Sequence, residues 1–456
     1  MATTETAAPA AKAPSAGYRV WVLFMLFIVY AFNFLDRQII SILAIPIQQE
    51  LDLSDRQLGL LGGIAFAFLY STLGVPIAWL ADRTNRTWII TVSLTIWSGF
   101  TAVCGFAQNF WHLFFSRVGV GVGEAGGVAP SYSLIADYFP PQSRARALAV
   151  YSLGIPIGSA FGVIAGAQIA GGNLGESLDW RSAFIIVGIA GIIIAPIFKL
   201  TLREPKRGGL DVKAKAEAAK VQPEPGEAAS VAAPAEASDE KKPGFGEVLK
   251  VLSKKPSFWF LVLGASCSSM MGYGVFFWIP SFFARSFELG IIETGWLFGG
   301  VLFVGGSLGI ILGGVLGDLM GKGSKKMYAL VPAIAFFLAF PMYVAGTLAT
   351  DPLIGALLFV IPTGLGLAWL GPTLSAFQHL APANMRSMAS AVFLLINNLL
   401  GIGVGVYVLG ELSTLLGPIF GNESLRYSIM AGASLYVVAG LLFLVASRTI
   451  ENDWEK

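Results

Sequence analysis

Four ionisable residues stand inside otherwise apolar stretches: Asp36 and Arg37 in the first, Arg117 and Glu124 in the fourth. A charge at the bilayer centre costs about 3 kcal/mol or more, so it marks a route for ions, protons or substrate. Arg117 and Glu124 are seven residues apart. They therefore share one helix face, about 10 Å apart along the axis. Counted at 1.5 Å per residue, Asp36 and Arg117 fall at a similar depth in the outer half of the membrane. An Asp36–Arg117 ion pair follows if spans one and four are neighbours. Adjacent helical residues do not face the same way, so Arg37 points elsewhere, and Glu124 sits nearer the midplane.

Burial disfavours the charged form of a carboxylate, and a nearby arginine favours it. Arginine keeps its proton under working conditions. Asp36 and Glu124 are thus the candidates to load and release a proton, which would free Arg117 or Arg37 to hold an anionic group. The competing reading is a static charge network that fixes helix packing.

These residues must be held by membrane-spanning helices. Of 456 residues, 55% are hydrophobic and 13% charged, against about 25% charged in soluble domains. A net charge of +2 gives no footprint for nucleic acid. Cys104 and Cys267 both fall in apolar stretches, and His112 and His379 near segment ends, so neither a disulfide framework nor a metal cluster is expected. With no nucleophile beside a base and no phosphate loop, an enzyme is not expected and no cofactor is called for.

A spanning helix needs about 20 apolar residues. Twelve candidates follow: 18–47, 57–81, 87–107, 111–138, 144–171, 181–202, 257–284, 291–317, 326–349, 353–379, 386–416 and 424–448. The expected fold is all-α, with twelve transmembrane helices in two pseudo-symmetric six-helix bundles at 18–202 and 256–449. Residues 1–17 read as a disordered tail and 450–456 as a terminal tail. The Ala-, Glu-, Lys- and Pro-rich stretch 203–255 reads as a linker. Phe245, Val248, Leu249 and Leu252 within it fit an amphipathic helix at 245–254, lying on the membrane surface.

Basic residues set the orientation. With the N-terminus inside, Arg83, Arg86, Arg144, Arg146, Lys322, Lys325, Lys326, Arg386 and the linker are cytoplasmic, whereas the outer loops hold only Arg56, Arg181, Arg285 and Arg426. The positive-inside rule then puts both termini in the cytoplasm of a cell membrane.

The two halves are related. Pro130, Ser133, Pro140, Arg144, Ala149 and Val150 recur 242 residues later as Pro372, Ser375, Pro382, Arg386, Ala391 and Val392. Parallel six-helix repeats are a transporter architecture with the site near the midplane, between the halves. The string Ala78-Trp-Leu-Ala-Asp82-Arg83-Thr-Asn-Arg86 ends the second span, and Gly314-Val-Leu-Gly-Asp318 is its weaker copy. It resembles the cytoplasmic loop signature of the major facilitator superfamily, with Ala at 78 and Asn at 85 where that signature has Gly. The resemblance implies a conformational latch of Asp82, Arg83, Arg86, Arg144 and Asp318 that holds the halves together in the outward-facing state.

The second half carries no mid-depth ionisable group apart from tyrosines. It offers Tyr273, Phe276, Phe277, Trp278, Trp369, Asn397 and Asn398. A cavity charged on one wall and aromatic on the other suits an amphiphile, with Arg37, Arg117, Tyr273, Trp369, Asn397 and Asn398 as its lining.

A narrower likeness lies in Phe34-Leu-Asp36-Arg37, Arg117-Val-Gly-Val-Gly-Val-Gly-Glu124-Ala, Ile155-Pro-Ile-Gly-Ser159, Asp179-Trp-Arg181 and Arg203-Glu-Pro205. These resemble the Spinster family, most densely over residues 33–209. The resemblance implies alternating access, a lipid-like cargo such as a lysophospholipid or a sphingosine-type phosphate, and dependence on Asp36, Arg37, Arg117 and Glu124. By the same resemblance the chain works as a monomer, with protons and membrane lipids as its other partners. The alternatives are a proton-driven exporter of hydrophobic drugs, a symporter of small organic anions, a lipid scramblase and a non-transporting receptor.

Overall fold

The computed structural model describes residues 15–205, 207, 245–320, 324–382 and 385–455. The tail at 1–14 and most of the expected linker lie outside the described residues. Among the described residues all regular structure is helical. Ten stretches are long and apolar enough to cross a membrane. One of them, Met388–Asp453, runs for 66 residues and holds two spans, divided at Gly421–Glu423. Residues 110–138 add another, broken into Phe110–Glu124 and Val128–Tyr138. Numbered in chain order, these make twelve spans.

Loop residues start the helices. Ser15, Asn85, Asn109 and Asp179 each accept a hydrogen bond from a first-turn backbone N–H, and Ser54 and Gln57 form a reciprocal capping box. Such caps satisfy donors that the first turn leaves unpaired. Span 1, Ala16–Ile42, starts two residues before the boundary expected from hydropathy because Ser15 caps it.

Five spans are interrupted near mid-depth. Span 2 breaks at Gly63, span 4 at residues 125–127, span 5 at Leu153, span 10 at residues 366–369, and span 11 through the π-helical turn Leu399–Val404. Irregular backbone is tolerated at membrane depth where it is buried in protein or lines a cavity. The breaks in spans 4 and 10 coincide under the 242-residue repeat, since 125–127 maps to 367–369. The inter-half packing follows the same symmetry. Span 2 packs on span 11, span 5 on span 8, and span 1 on span 7.

Span 5 meets span 1 closely. A side chain at Gly158 would collide with the Ala31 carbonyl, and a Cβ at Gly162 would lie 2.7 Å from the Leu35 carbonyl oxygen. Close approach of this kind is what small residues permit between membrane helices.

The chain ends mark one face of the bundle. Tyr18 binds Thr201, Lys255 binds the Leu380 carbonyl, and the Ser257 backbone binds Asp453. At the opposite, far end, Asp55 of span 2 pairs with Arg285 of span 7 at 2.5 Å and accepts from Ser413 of span 11 at 2.6 Å. Arg56 pairs there with Glu411. These bonds close the far end between the halves.

The linker helix runs Phe245–Leu252. Val248 and Leu252 are fully buried in the core of the second half. Val248, Leu249 and Leu252, expected to lie on the membrane surface, pack instead on protein, where the helix meets the start of span 11.

Candidate transport site

Span 1 presents two faces to the interior. Asp36, 1% exposed, accepts from Thr101 of span 3 at 2.5 Å and pairs with Arg117 of span 4 at 3.4 Å. This is the contact expected from their depths. Arg37, on the next face, pairs with Glu124 at 2.7 Å. Sequence reasoning did not find this second pair. Helical side chains lean toward their own N-terminus. Arg37 leans toward the terminal end of the bundle, where Glu124 sits, and Arg117, on a helix running the other way, leans toward Asp36. That direction was the missing signal.

The four charges form one cluster. Arg37 lies over the rings of Phe34, Phe66 and Tyr70, with 4.4 Å to the Tyr70 centroid. Arg117 lies 5.6 Å from the Phe66 centroid. Glu124 Oε1, one terminal nitrogen of Arg37 and Nε of Arg117 are buried without a hydrogen-bond partner. With both carboxyls ionised, the two cations and two anions would cancel, with hydrogen-bonding capacity in reserve.

A cavity of about 280 Å³ lies between the halves. Arg37 borders it, whereas Asp36, Arg117 and Glu124 stand behind. Among the described residues that line it, Arg37 is the only one carrying a full charge. The expected Tyr273, Trp369, Asn397 and Asn398 all line it, and Ser269 donates to Asn397 at 2.9 Å. Trp278 does not; its indole donates to the Val406 carbonyl at 2.9 Å in the core.

Apart from Tyr273, sequence analysis did not single out the tyrosines of the cavity. Tyr30 lines one wall and stacks on Tyr151 behind it at 4.2 Å, and Tyr343 and Tyr436, stacked at 5.5 Å, line the other. Tyr70 and Tyr132 also border the cavity. A tyrosine in an apolar helix reads as packing until the fold shows what its hydroxyl faces. Gln38 was missed as well; it donates to the Phe276 carbonyl at 2.6 Å and ties span 1 to span 7.

The residues assigned to a latch fall at the terminal end. Arg86 is buried and binds Ser133, Asp137 and Glu204, at 2.6, 2.5 and 2.6 Å, the last from just beyond span 6. Arg83 stacks 3.9 Å from the centroid of Trp79. Arg144 donates to the Ala136 carbonyl at 2.7 Å. The Asp82 carbonyl accepts from Arg207. Asp318 closes a helical stretch, Ile291–Met320, and its side chain lies outside the described residues.

The Major Facilitator Superfamily sequence profile matches residues 26–406. A protein of Mycolicibacterium smegmatis described as an MFS-type efflux pump is 29% identical over 437 residues, covering 95% of this chain and 94% of the relative. Protein spinster homolog 1 of Xenopus tropicalis is 26% identical over 458 residues, covering 96% of this chain and 82% of the relative. A crystal structure of a bacterial homolog to the human lysosomal transporter Spinster, inward-facing and unoccupied, superposes with a TM-score of 0.81 at 30% identity, over 97% of this chain and 100% of the other.

Proposed function

As a member of the Major Facilitator Superfamily and of its Spinster family, this chain is a multi-pass membrane transporter, and we propose that it carries an amphiphilic anion of the lysolipid kind by proton-linked alternating access. The observation that carries this reading is the double engagement of Arg37. It borders the cavity while paired at 2.7 Å with Glu124 behind it.

A proton on Glu124 would cancel that pairing. The buried cluster would pass from neutral to a net charge of one, presented to the cavity through Arg37. Glu124 Oε1, which has no partner, offers a place for the proton, and the neighbouring Asp36 carboxylate could accept a hydrogen bond from it. An anionic head group at Arg37 would then replace the charge that Glu124 gave up. Protonation and anion binding favour each other in this scheme, the thermodynamic requirement for coupled movement. The aromatic remainder of the cavity suits an acyl chain.

The basic residues of the terminal end support a cytoplasmic placement of both termini. The closed far end then corresponds to an inward-facing state. The loop residues Asp82, Arg83, Arg86, Arg144 and Asp318 would act in the opposite state, when the terminal end closes. Within one chain the cavity is complete, which supports a working monomer.

A second reading is export of hydrophobic drugs: the relative described as an efflux pump favours export, and the aromatic walls favour an apolar cargo. One experiment separates the two: uptake of a labelled lysophospholipid into proteoliposomes, with and without a pH gradient, for the native protein and Glu124→Gln. Gradient-driven uptake in the native protein that no longer answers to the gradient in the variant supports proton-linked lipid transport. No lysolipid movement in either protein puts drug export first.

A further inference from the structure

Three hydroxyls bordering the cavity take no part in the charge cluster. Ser268 of span 7, Tyr343 of span 9 and Tyr436 of span 12 are 1%, 1% and 0% exposed. All three line the cavity; the Ser268 hydroxyl has no partner within the protein, and those of Tyr343 and Tyr436 approach each other, with Thr363 near Tyr343, without an aligned hydrogen bond. A buried hydroxyl left unpaired costs about 1–3 kcal/mol. Packing alone does not call for these groups. The rings of Tyr343 and Tyr436 stack at an interplanar angle of 5°, and phenylalanine would stack as well.

The backbone opposite makes room for one of them. A Cβ at Gly366 would stand 2.6 Å from the Tyr436 hydroxyl oxygen. Gly366 occupies, under the 242-residue repeat, the place of Glu124. Where the first half inserts a carboxylate, the second half leaves a gap, and span 12 fills it with a neutral hydroxyl.

We propose that Ser268, Tyr343 and Tyr436 form a binding subsite for an uncharged, hydroxyl-bearing end of the cargo, of the kind a glycerol head group presents. Each hydroxyl can donate and accept, which matches an alcohol. Among the described residues no second-half acid borders the cavity to offset the desolvation of an ammonium. Arg37 across the cavity would hold the phosphate of the same molecule. This deepens the lysolipid reading above and rests on it.

The test is a thermal-shift titration of the purified protein with lysophosphatidylglycerol and with lysophosphatidylpropanol. The two share the phosphodiester charge and the acyl chain, and the second lacks the two terminal hydroxyls. The native protein should prefer the first by about tenfold, the worth of one or two net hydrogen bonds. In Tyr343→Phe with Tyr436→Phe the ratio should fall to about twofold or less, and Ser268→Ala should lower it in part. Equal affinity in the native protein, or a ratio that the variants leave unchanged, overturns the subsite. Binding of neither lipid overturns the lysolipid reading and the subsite together, an outcome distinct from equal binding of both. The ligand-free variants give a second check. Deleting an unpaired hydroxyl should hold or raise Tm, and a clear fall would mean the hydroxyls serve the fold, which also overturns the proposal.

Discussion

Arg37 meets Glu124 at 2.7 Å with its guanidinium 4.4 Å from the centroid of Tyr70. One side chain is thus ion-paired on one side and laid on an aromatic ring on another. A planar, delocalised cation can lie flat on the ring while its edge donors hold the carboxylate, whereas an ammonium has neither the plane nor the fixed fork of donors. Arg37→Lys keeps the charge and loses the stacking and the directed donors. We expect lysolipid uptake at low concentration to fall by about tenfold or more, the worth of one good charge-assisted contact. Uptake kinetics in proteoliposomes check this.

Asp36 and Arg117 are each 1% exposed and pair at 3.4 Å. Removing one partner strands a buried charge, which costs about 3–5 kcal/mol, while replacing both can be nearly neutral. Asp36→Asn should therefore lower Tm markedly. Asp36→Asn with Arg117→Gln should recover most of the stability without recovering transport. Melting and uptake on the same preparations separate the structural from the coupling role; recovery of both would assign the pair to packing alone.

Much of the fold was legible because the membrane demands long apolar helices and the two halves repeat in register. Pro130 and Pro372 lie in matching positions just past the matching breaks at 125–127 and 366–369. The Asp36–Arg117 contact was legible for a simpler reason, since rise per residue fixes depth. The Arg37–Glu124 pair was not, because it depends on the direction in which long side chains lean. The Tyr343–Tyr436 stack joins spans 9 and 12, and nothing local in either span announces the other. The Arg86 cluster was half legible. Its charge was plain, but its partner Glu204 arrives from beyond span 6.

The far end is held by Asp55–Arg285 and Arg56–Glu411 across the halves. Arg285→Gln leaves Asp55 without its cation and should shift the population toward a far-end-open state. Each 1.4 kcal/mol lost from the clasp is worth about tenfold in that equilibrium. Labelling of single cysteines placed near each end should rise at the far end and fall at the terminal end. Unchanged labelling at both ends would count against the clasp.

Gly162 faces the Leu35 carbonyl with no room for a side chain. Gly162→Ala should force spans 1 and 5 apart at a cost of about 1–3 kcal/mol, read as a lower Tm. Gly74, where nothing lies within 4 Å of an added Cβ, is the control. Gly74→Ala should leave Tm level or raise it.

Glu50 accepts from the Trp180 indole at 2.5 Å and from Arg181 at 2.7 Å, near the far end. The Trp180 hydrogen bond first, and Arg181 after it, hold its carboxyl below the ordinary glutamate range. A depressed acid contributes stability above its unfolded-state pKa, and that contribution is lost as pH falls through the folded value. Native Tm should therefore decline below about pH 4, near the reference value for glutamate. Glu50→Gln should lower Tm at neutral pH and flatten the acid limb.

The position that holds Glu124 in the first half holds Gly366 in the second. Under the proton-linked scheme proposed above, one copy carries a titrating group at this position and the other carries none. The halves can therefore diverge on separate schedules. In that scheme changes to spans 7 to 12 can reshape the recognised molecule without touching Asp36 or Glu124, while Arg37 alone belongs to both the charge cluster and the cavity wall. A chimera that keeps residues 15–205 and takes its second half from a relative should inherit the pH response of one parent and the cargo of the other.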